Sequence, residues 1–216
     1  MLPLQAMRTL VALISTCLML SNNSSAHAGP PTDQLKTAVD QIVPILEDPM
    51  LKPDARTEER RAALRREADR IFDFEETSKR ALAPHWQRIA PKDRQEFVGL
   101  FTHLLERSYI SKIERYSGEK TLYTGDAIDG DLATVKTRFI TKSGKDISVD
   151  YRMHRKNDRW LVYDVVAEGI SLVGNYRMQF NKILQTASYE DLVARLKEKR
   201  IDVGAPGEPK PKEPRS

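Results

Sequence analysis

The 216-residue chain has one cysteine, Cys17, set in an apolar stretch near the N-terminus. No disulfide can form within the chain, no cysteine-held zinc cluster can assemble, and the remaining sequence offers no thiol nucleophile. An excess of one charge sign is missing as well: 35 basic residues face 31 acidic ones, so the net +4 comes from an even mixture. A dedicated nucleic-acid binder would carry a basic block, and none is expected as a partner. The main apolar run, Leu10 to Leu20, is about half the 20 residues a bilayer span needs. GxSxG, HExxH, GxGxxG, phosphate-loop and EF-hand patterns are all absent. What is present, 40% hydrophobic and 31% charged residues with a mean hydropathy of −0.53, describes one globular domain with short appendages.

Both appendages can be read from composition. Arg8 precedes the apolar run, Ser21 to Ser25 follow it, and Ala26-His27-Ala28 supplies small residues where a signal peptidase reads them. This layout predicts a cleaved secretory signal over residues 1–28. Lipidation at Cys17 is the competing reading, but Thr16 is a poor residue before a lipidated cysteine and the small-residue site lies downstream. Removing Arg8 leaves 34 basic and 31 acidic residues, a net +3. Residues 201–216, with four prolines and no apolar periodicity, read as a disordered tail. The domain is therefore expected over 29–200, exported to a bacterial periplasm and folding without disulfides.

Within it, Thr32 or Asp33 can cap a helix bearing Leu35, Val39, Ile42 and Leu46, broken or kinked near Pro44 and ended by Asp48-Pro49. A highly charged helix follows from about Asp54 to Arg70, with Ala55, Ala62, Leu64 and Ala68 as its few apolar anchors. The clearest helical signal is Phe97, Leu100, Phe101, Leu104, Leu105, Tyr109, Ile113 and Tyr116, a stripe about six turns long. From Gly118 the period changes to two. Ile147, Val149, Tyr151 and Met153 alternate with Ser148, Asp150, Arg152 and His154, and turn signals at Asp129-Gly130, Ser143-Gly144 and Asn157-Asp158 space four strands at about 119–127, 131–142, 145–155 and 159–168. Two helices return, one with Leu172, Val173, Tyr176, Phe180 and Ile183, the other with Leu192, Val193 and Leu196. The predicted class is α+β, helices packed on one face of a curved four-stranded antiparallel sheet.

The polar inventory gives little chemistry. His85, His103 and His154 are isolated in sequence, whereas metal sites need clusters. Asp150 and Asp164 fall on adjacent predicted strands and Glu168 ends the last one, so an acid pair in a small cone-shaped enzyme is conceivable. The plainer reading turns Asp150 outward and pairs Asp164 with Arg138 or Arg152. No second catalytic residue type accompanies the acids, and no enzyme activity, metal or cofactor is expected. Periodicity does not separate a filled core from a hollow one.

Denser patterns carry a family resemblance. Phe72-Asp73-Phe74, Trp86, Arg94 with Glu96-Phe97, Tyr109, Val149-Asp150-Tyr151 and Trp160 to Val165 lead into Glu168-Gly169-Ile170-Ser171-Leu172-Val173 and Asn175 to Phe180. Over about Thr32 to Arg200 the chain resembles the MlaC or toluene-tolerance auxiliary family, periplasmic carriers of the Mla lipid transport system. Ala83-Pro84 stands where the family tends to have glycine, and the C-terminal tail is outside the pattern.

The resemblance implies a cone like that of nuclear transport factor with an extra helical subdomain, and phospholipid as cargo. Its partners would be an inner-membrane MCE-domain/ABC transporter complex and an outer-membrane lipoprotein–porin complex, with the carrier monomeric. Two acyl chains of about 16 carbons cost on the order of 20 kcal/mol to expose to water, so a carrier must hide them. On inward parity, Phe101, Leu105, Tyr109, Val135, Phe139, Val149, Tyr151, Tyr163, Val165, Val173 and Tyr176 would line the cavity. Arg138, Arg152 and Arg177 would stand near its mouth to meet a headgroup or docking surface, unless ion pairs with Asp150, Asp164 or Glu168 engage them. Some family members are tied to hopanoids, which leaves an alternative apolar cargo. A solid-core secreted adaptor that binds a partner through the charged helix is the remaining reading.

Overall fold

The computed structural model describes residues 29–201; the expected signal segment and residues 202–216 lie outside the described residues. Helix α1 (Pro30–Glu47) is followed by a 3₁₀ turn (Asp54–Arg56), α2 (Thr57–Ile71), α3 (Phe74–Leu82), a second 3₁₀ segment (Ala83–Arg88) and the long α4 (Pro91–Ile113). The meander β1 (Lys120–Asp129), β2 (Leu132–Ile140), β3 (Asp146–Lys156), β4 (Arg159–Ala167) and β5 (Ile170–Ser171) comes next, then α5 (Leu172–Leu184) and α6 (Tyr189–Lys197). All neighbouring strands are antiparallel, in sequence order. The α+β class is the one expected, with one strand more. Glu168 and Gly169, both at positive φ, double the chain back so that Ile170 pairs with Ala167. Two residues are too few to show a period.

The three turn signals fall at the strand junctions, with Asp129 closing β1. Asn157 and Asp158 have φ of 50° and 58°, the left-handed pair whose twist matches that of the flanking strands. Helix ends differ more. The α1 N-cap is Gly29 instead of Thr32 or Asp33, and Pro44 lies inside the helix without ending it. Pro44 sits in the final turn, where its carbonyl accepts from Asp48 N at 3.0 Å. The charged helix begins as the 3₁₀ turn and carries Leu64 and Ile71 as its buried residues. Helix α4 stops at Ile113, short of Tyr116. Helix α3 has no counterpart in the sequence reading. It starts where buried Asp73 accepts from Glu76 N at 3.0 Å and gives its own backbone N–H to Val162 O at 2.9 Å.

Helices lie on both faces of the sheet, not on one. Cross-strand partners share a face, so Ala133, Val135, Thr137 and Phe139 stand beside Met153, Tyr151, Val149 and Ile147, and the face continues to Val162, Val165 and Ala167 on β4. Leu35 of α1 and Ile71 of α2 cover this first face near Val135, Met153 and Trp160. The second face bears Arg152 and Asp164, where α5 is anchored: Asp164 accepts from Ser171 Oγ at 2.6 Å and Val173 N at 2.9 Å.

Helices α3, α4, α5 and α6 make a separate core. Phe97, Phe101, Tyr176 and Phe180 are each fully buried there, with Phe101 edge-on to Tyr176 at 5.0 Å and to Phe180 at 5.2 Å. The α2–α4 seam is polar instead. Arg60 and Arg61 reach Glu114 at 2.9 and 3.0 Å, and Arg65 pairs with Glu106. Burial pushes the Glu114 carboxyl up, but the two guanidiniums outweigh it and hold it below the usual carboxylate range.

The N-terminal end of α1 rests on β1 through Asp126, which accepts from Gly29 N at 2.9 Å, Thr32 N at 3.3 Å and Thr32 Oγ1 at 2.7 Å. A Cβ at position 29 would lie 2.9 Å from both carboxylate oxygens, so the close approach requires glycine. Asp126→Ala is expected to cost about 2 kcal/mol, on the scale of a lost helix cap plus an unpaired donor. A reduced urea midpoint at unchanged m-value would show it.

Candidate functional site

Burial along the first sheet face falls off in one direction. Val135, Met153 and Val162 are fully buried, whereas Phe139, Ile147, Val149, Tyr151 and Val165 are half-buried. Helix α1 repeats the gradient: Leu35 is buried, and Val39, Ile42, Val43 and Leu46 are progressively further along the same helix and only half-buried. The half-covered apolar side chains gather toward the C-terminal half of α1 and the strand ends at Ile140, Asp146 and Ala167, which marks this region as the candidate lipid groove. At its mouth, Leu46, Glu47 and Lys52 face Tyr116, Ser117, Gly118 and Lys142 around a cleft of about 370 Å³.

Two phenols stand on the groove face. Tyr123 pairs in register with Thr137, and Tyr151 with Val135. Burial pushes the Tyr123 hydroxyl up to about 12, with nearby Asp40 adding to the shift. The Tyr151 phenol is raised too, by burial first and then by Tyr123. Both stay protonated across the physiological range. At the mouth, burial and the carboxylates of Glu47 and Glu119 raise Tyr116.

The eleven expected wall residues divide. Phe139, Val149, Tyr151 and Val165 lie along the groove face, with Val135 at its buried end. Phe101, Leu105, Val173 and Tyr176 belong to the helical core, and half-buried Tyr109 packs against it. Tyr163 faces the other way. A bulge between Arg152 and Met153 leaves it without a register partner and turns its ring to His154 at 6.0 Å and to the Arg80 guanidinium at 3.8 Å. None of the three expected arginines lines the mouth cleft. Arg138 pairs with Asp146, and Arg152 reaches Asp164 at 3.1 Å, the partner foreseen for it. Arg177 lines a separate cleft of about 370 Å³ with Lys79, Arg80, Glu76 and Trp86.

Asp150 and Asp164 do not converge on the groove. Their register places both on the second sheet face, Asp150 opposite Lys136 and Val166, and Asp164 opposite Arg152. Among the described residues no group of three or more His, Cys, Asp or Glu is placed to hold a metal ion, and no helix is long and apolar enough to cross a membrane. Lys52, Lys142, Leu46, Tyr116 and Tyr123 were not marked by the sequence reading as site residues. Tyr123 belongs to a strand whose alternation shifts at the Tyr123/Gly125 bulge, and the lysines line one cleft from two connections far apart in sequence.

The sequence profile of the MlaC protein family matches residues 36–198. The chain belongs to the MlaC family. Among MlaC relatives, the Haemophilus influenzae intermembrane phospholipid transport system binding protein MlaC is 18% identical over 195 residues, covering 88% of this chain and 91% of its own. A phospholipid-binding protein from Ralstonia solanacearum, solved in complex with a phospholipid, superimposes with a TM-score of 0.71 at 24% identity. That likeness covers 79% of this chain and 97% of the other, and it establishes the MlaC-like fold over most of the described domain.

Proposed function

We propose that this chain is a periplasmic lipid carrier that holds phospholipid acyl chains in the groove between α1 and the sheet and shuttles them between outer- and inner-membrane complexes of an ABC-type transport system. The observation that carries the reading is the burial gradient: Ile42, Val43, Ile45 and Leu46 on α1, and Phe139, Ile147 and Val149 on the sheet, are apolar side chains that the protein leaves half-covered. Family membership and relatives named for phospholipid transport and phospholipid binding support it. Each methylene withdrawn from water contributes about 0.8 kcal/mol, so release into solvent is negligible and unloading takes place against a membrane complex. The proposed partners are an inner-membrane MCE-domain/ABC transporter complex and an outer-membrane lipoprotein–porin complex. Arg177, beside Lys79 and Arg80, is proposed as a docking residue.

Organic extracts of the purified protein, analysed by mass spectrometry, are expected to contain about one phospholipid per chain. A lipid-free protein that also takes nothing from labelled phospholipid vesicles would overturn the reading.

Lys52 and Lys142 would set the headgroup end. Both stand at the mouth, where a phosphate meets ammonium groups once the acyl chains are in place. The double variant Lys52→Glu, Lys142→Glu is expected to weaken capture of phosphatidylglycerol by about tenfold at low salt, and by less as screening rises. A neutral diacylglycerol should be bound as before, and the comparison is a competition assay with a fluorescent lipid.

A further inference from the structure

The sheet face beneath α1 carries a polar atom that the protein does not satisfy. The Tyr123 hydroxyl is buried and has no hydrogen-bond partner among the described residues. A buried hydroxyl without a partner is costly, and folded proteins keep few of them. Its position is set by backbone pairing: Tyr123 opposes Thr137, itself held by a 2.7 Å bond from Thr137 Oγ1 to Val149 O, so the phenol cannot turn to the other face without breaking register. Tyr123 packs against the buried cluster that holds Leu35 of α1, with Ala38 of the same helix beside it, which places the ring under α1. Three residues separate it from the start of β1, about 10 Å below the strand end that carries the mouth.

A donor at that depth meets a particular part of a lipid. The phosphate belongs at the lysine rim and the methylene chains deeper along the apolar walls. Between them a diacyl glycerolipid carries two ester carbonyls, neutral acceptors that suit a neutral phenol. We infer that the Tyr123 hydroxyl donates a hydrogen bond to an ester carbonyl of the bound lipid, and that this bond selects ester-linked diacyl lipids over apolar lipids of similar bulk. The inference rests on the carrier reading and deepens it, because an ester-free polycyclic lipid would leave the hydroxyl as orphaned as it is in the protein alone.

The test compares one lipid with its isostere. Dipalmitoyl phosphatidylglycerol and the dihexadecyl ether analogue differ at the two carbonyls and share headgroup and chain length. A neutral hydrogen bond contributes about three- to tenfold in affinity. Wild-type protein is therefore expected to prefer the ester by about that factor. Tyr123→Phe should lose the preference by weakening only ester binding, with ether binding unchanged. Its thermal midpoint should be unchanged or higher, since an unsatisfied buried hydroxyl has been removed. Equal weakening toward both lipids would assign Tyr123 a packing role and overturn the inference, as would unaltered ester binding. A wild type that takes both lipids equally overturns the inference alone, whereas one that takes neither overturns the carrier reading along with it.

Discussion

Val149→Trp is expected to empty the carrier while leaving it folded. Val149 is half-buried on the groove face of β3, opposite Thr137 and Ala167, both small, so an indole there enters the groove instead of displacing packed side chains. Displacing even four methylenes of cargo costs about 3 kcal/mol, over a hundredfold in affinity. Co-purified lipid should fall to a small fraction of the wild-type amount, with a thermal midpoint within a few degrees of wild type. The opposite result, normal loading with a midpoint lowered by ten degrees or more, would mean that Val149 belongs to a filled core and that the groove is elsewhere.

The largest stability effect is expected at Phe101. Its ring is fully buried and touches Phe97, Tyr176 and Phe180 with centroids 5.7, 5.0 and 5.2 Å away. Phe101→Ala removes a large side chain from a site walled by three other rings that cannot collapse inward, at a cost of about 4 kcal/mol. Phe139→Ala is the internal control. Phe139 is half-buried on the groove wall, so its loss should cost about 1–2 kcal/mol, because solvent already reaches part of the ring. Urea unfolding of both variants separates core from wall: similar losses would contradict the division drawn between them.

Phe101 and Phe139 also show where sequence reading stops. Both are apolar at inward positions of their elements, and period alone ranks them equally as wall or core. The difference arises from what packs opposite: α5 covers Phe101, whereas Phe139 joins neither buried cluster among the described residues. The order of elements was legible because the period changes from 3.6 to 2 at Gly118 and because turn residues with positive φ mark the strand ends. Helix α3 was not. Its buried residues, Thr77, Ser78, Ala81 and Leu82, are mostly small or polar, and its start is fixed by the distant contacts of Asp73 with Val162, His154 and Lys156. Tyr163 was misplaced because alternation assumes an unbroken ladder, and one bulge reverses the faces beyond it. The arginines were assigned to a headgroup on charge, while the structure uses Arg138 and Arg152 to pair neighbouring strands.

The seam between α2 and α4 has a mechanical consequence. An apolar contact loses its attraction within about an ångström of separation. Arg60, Arg61 and Arg65 instead hold Glu114 and Glu106 at the ends of long rotatable stems. Such a joint stretches by changing rotamers, keeps its tethers engaged while it lengthens, and uncovers no oily surface as it gives. It is built like a tendon, tying α2 to the end of the long helix through charge instead of through packed surface.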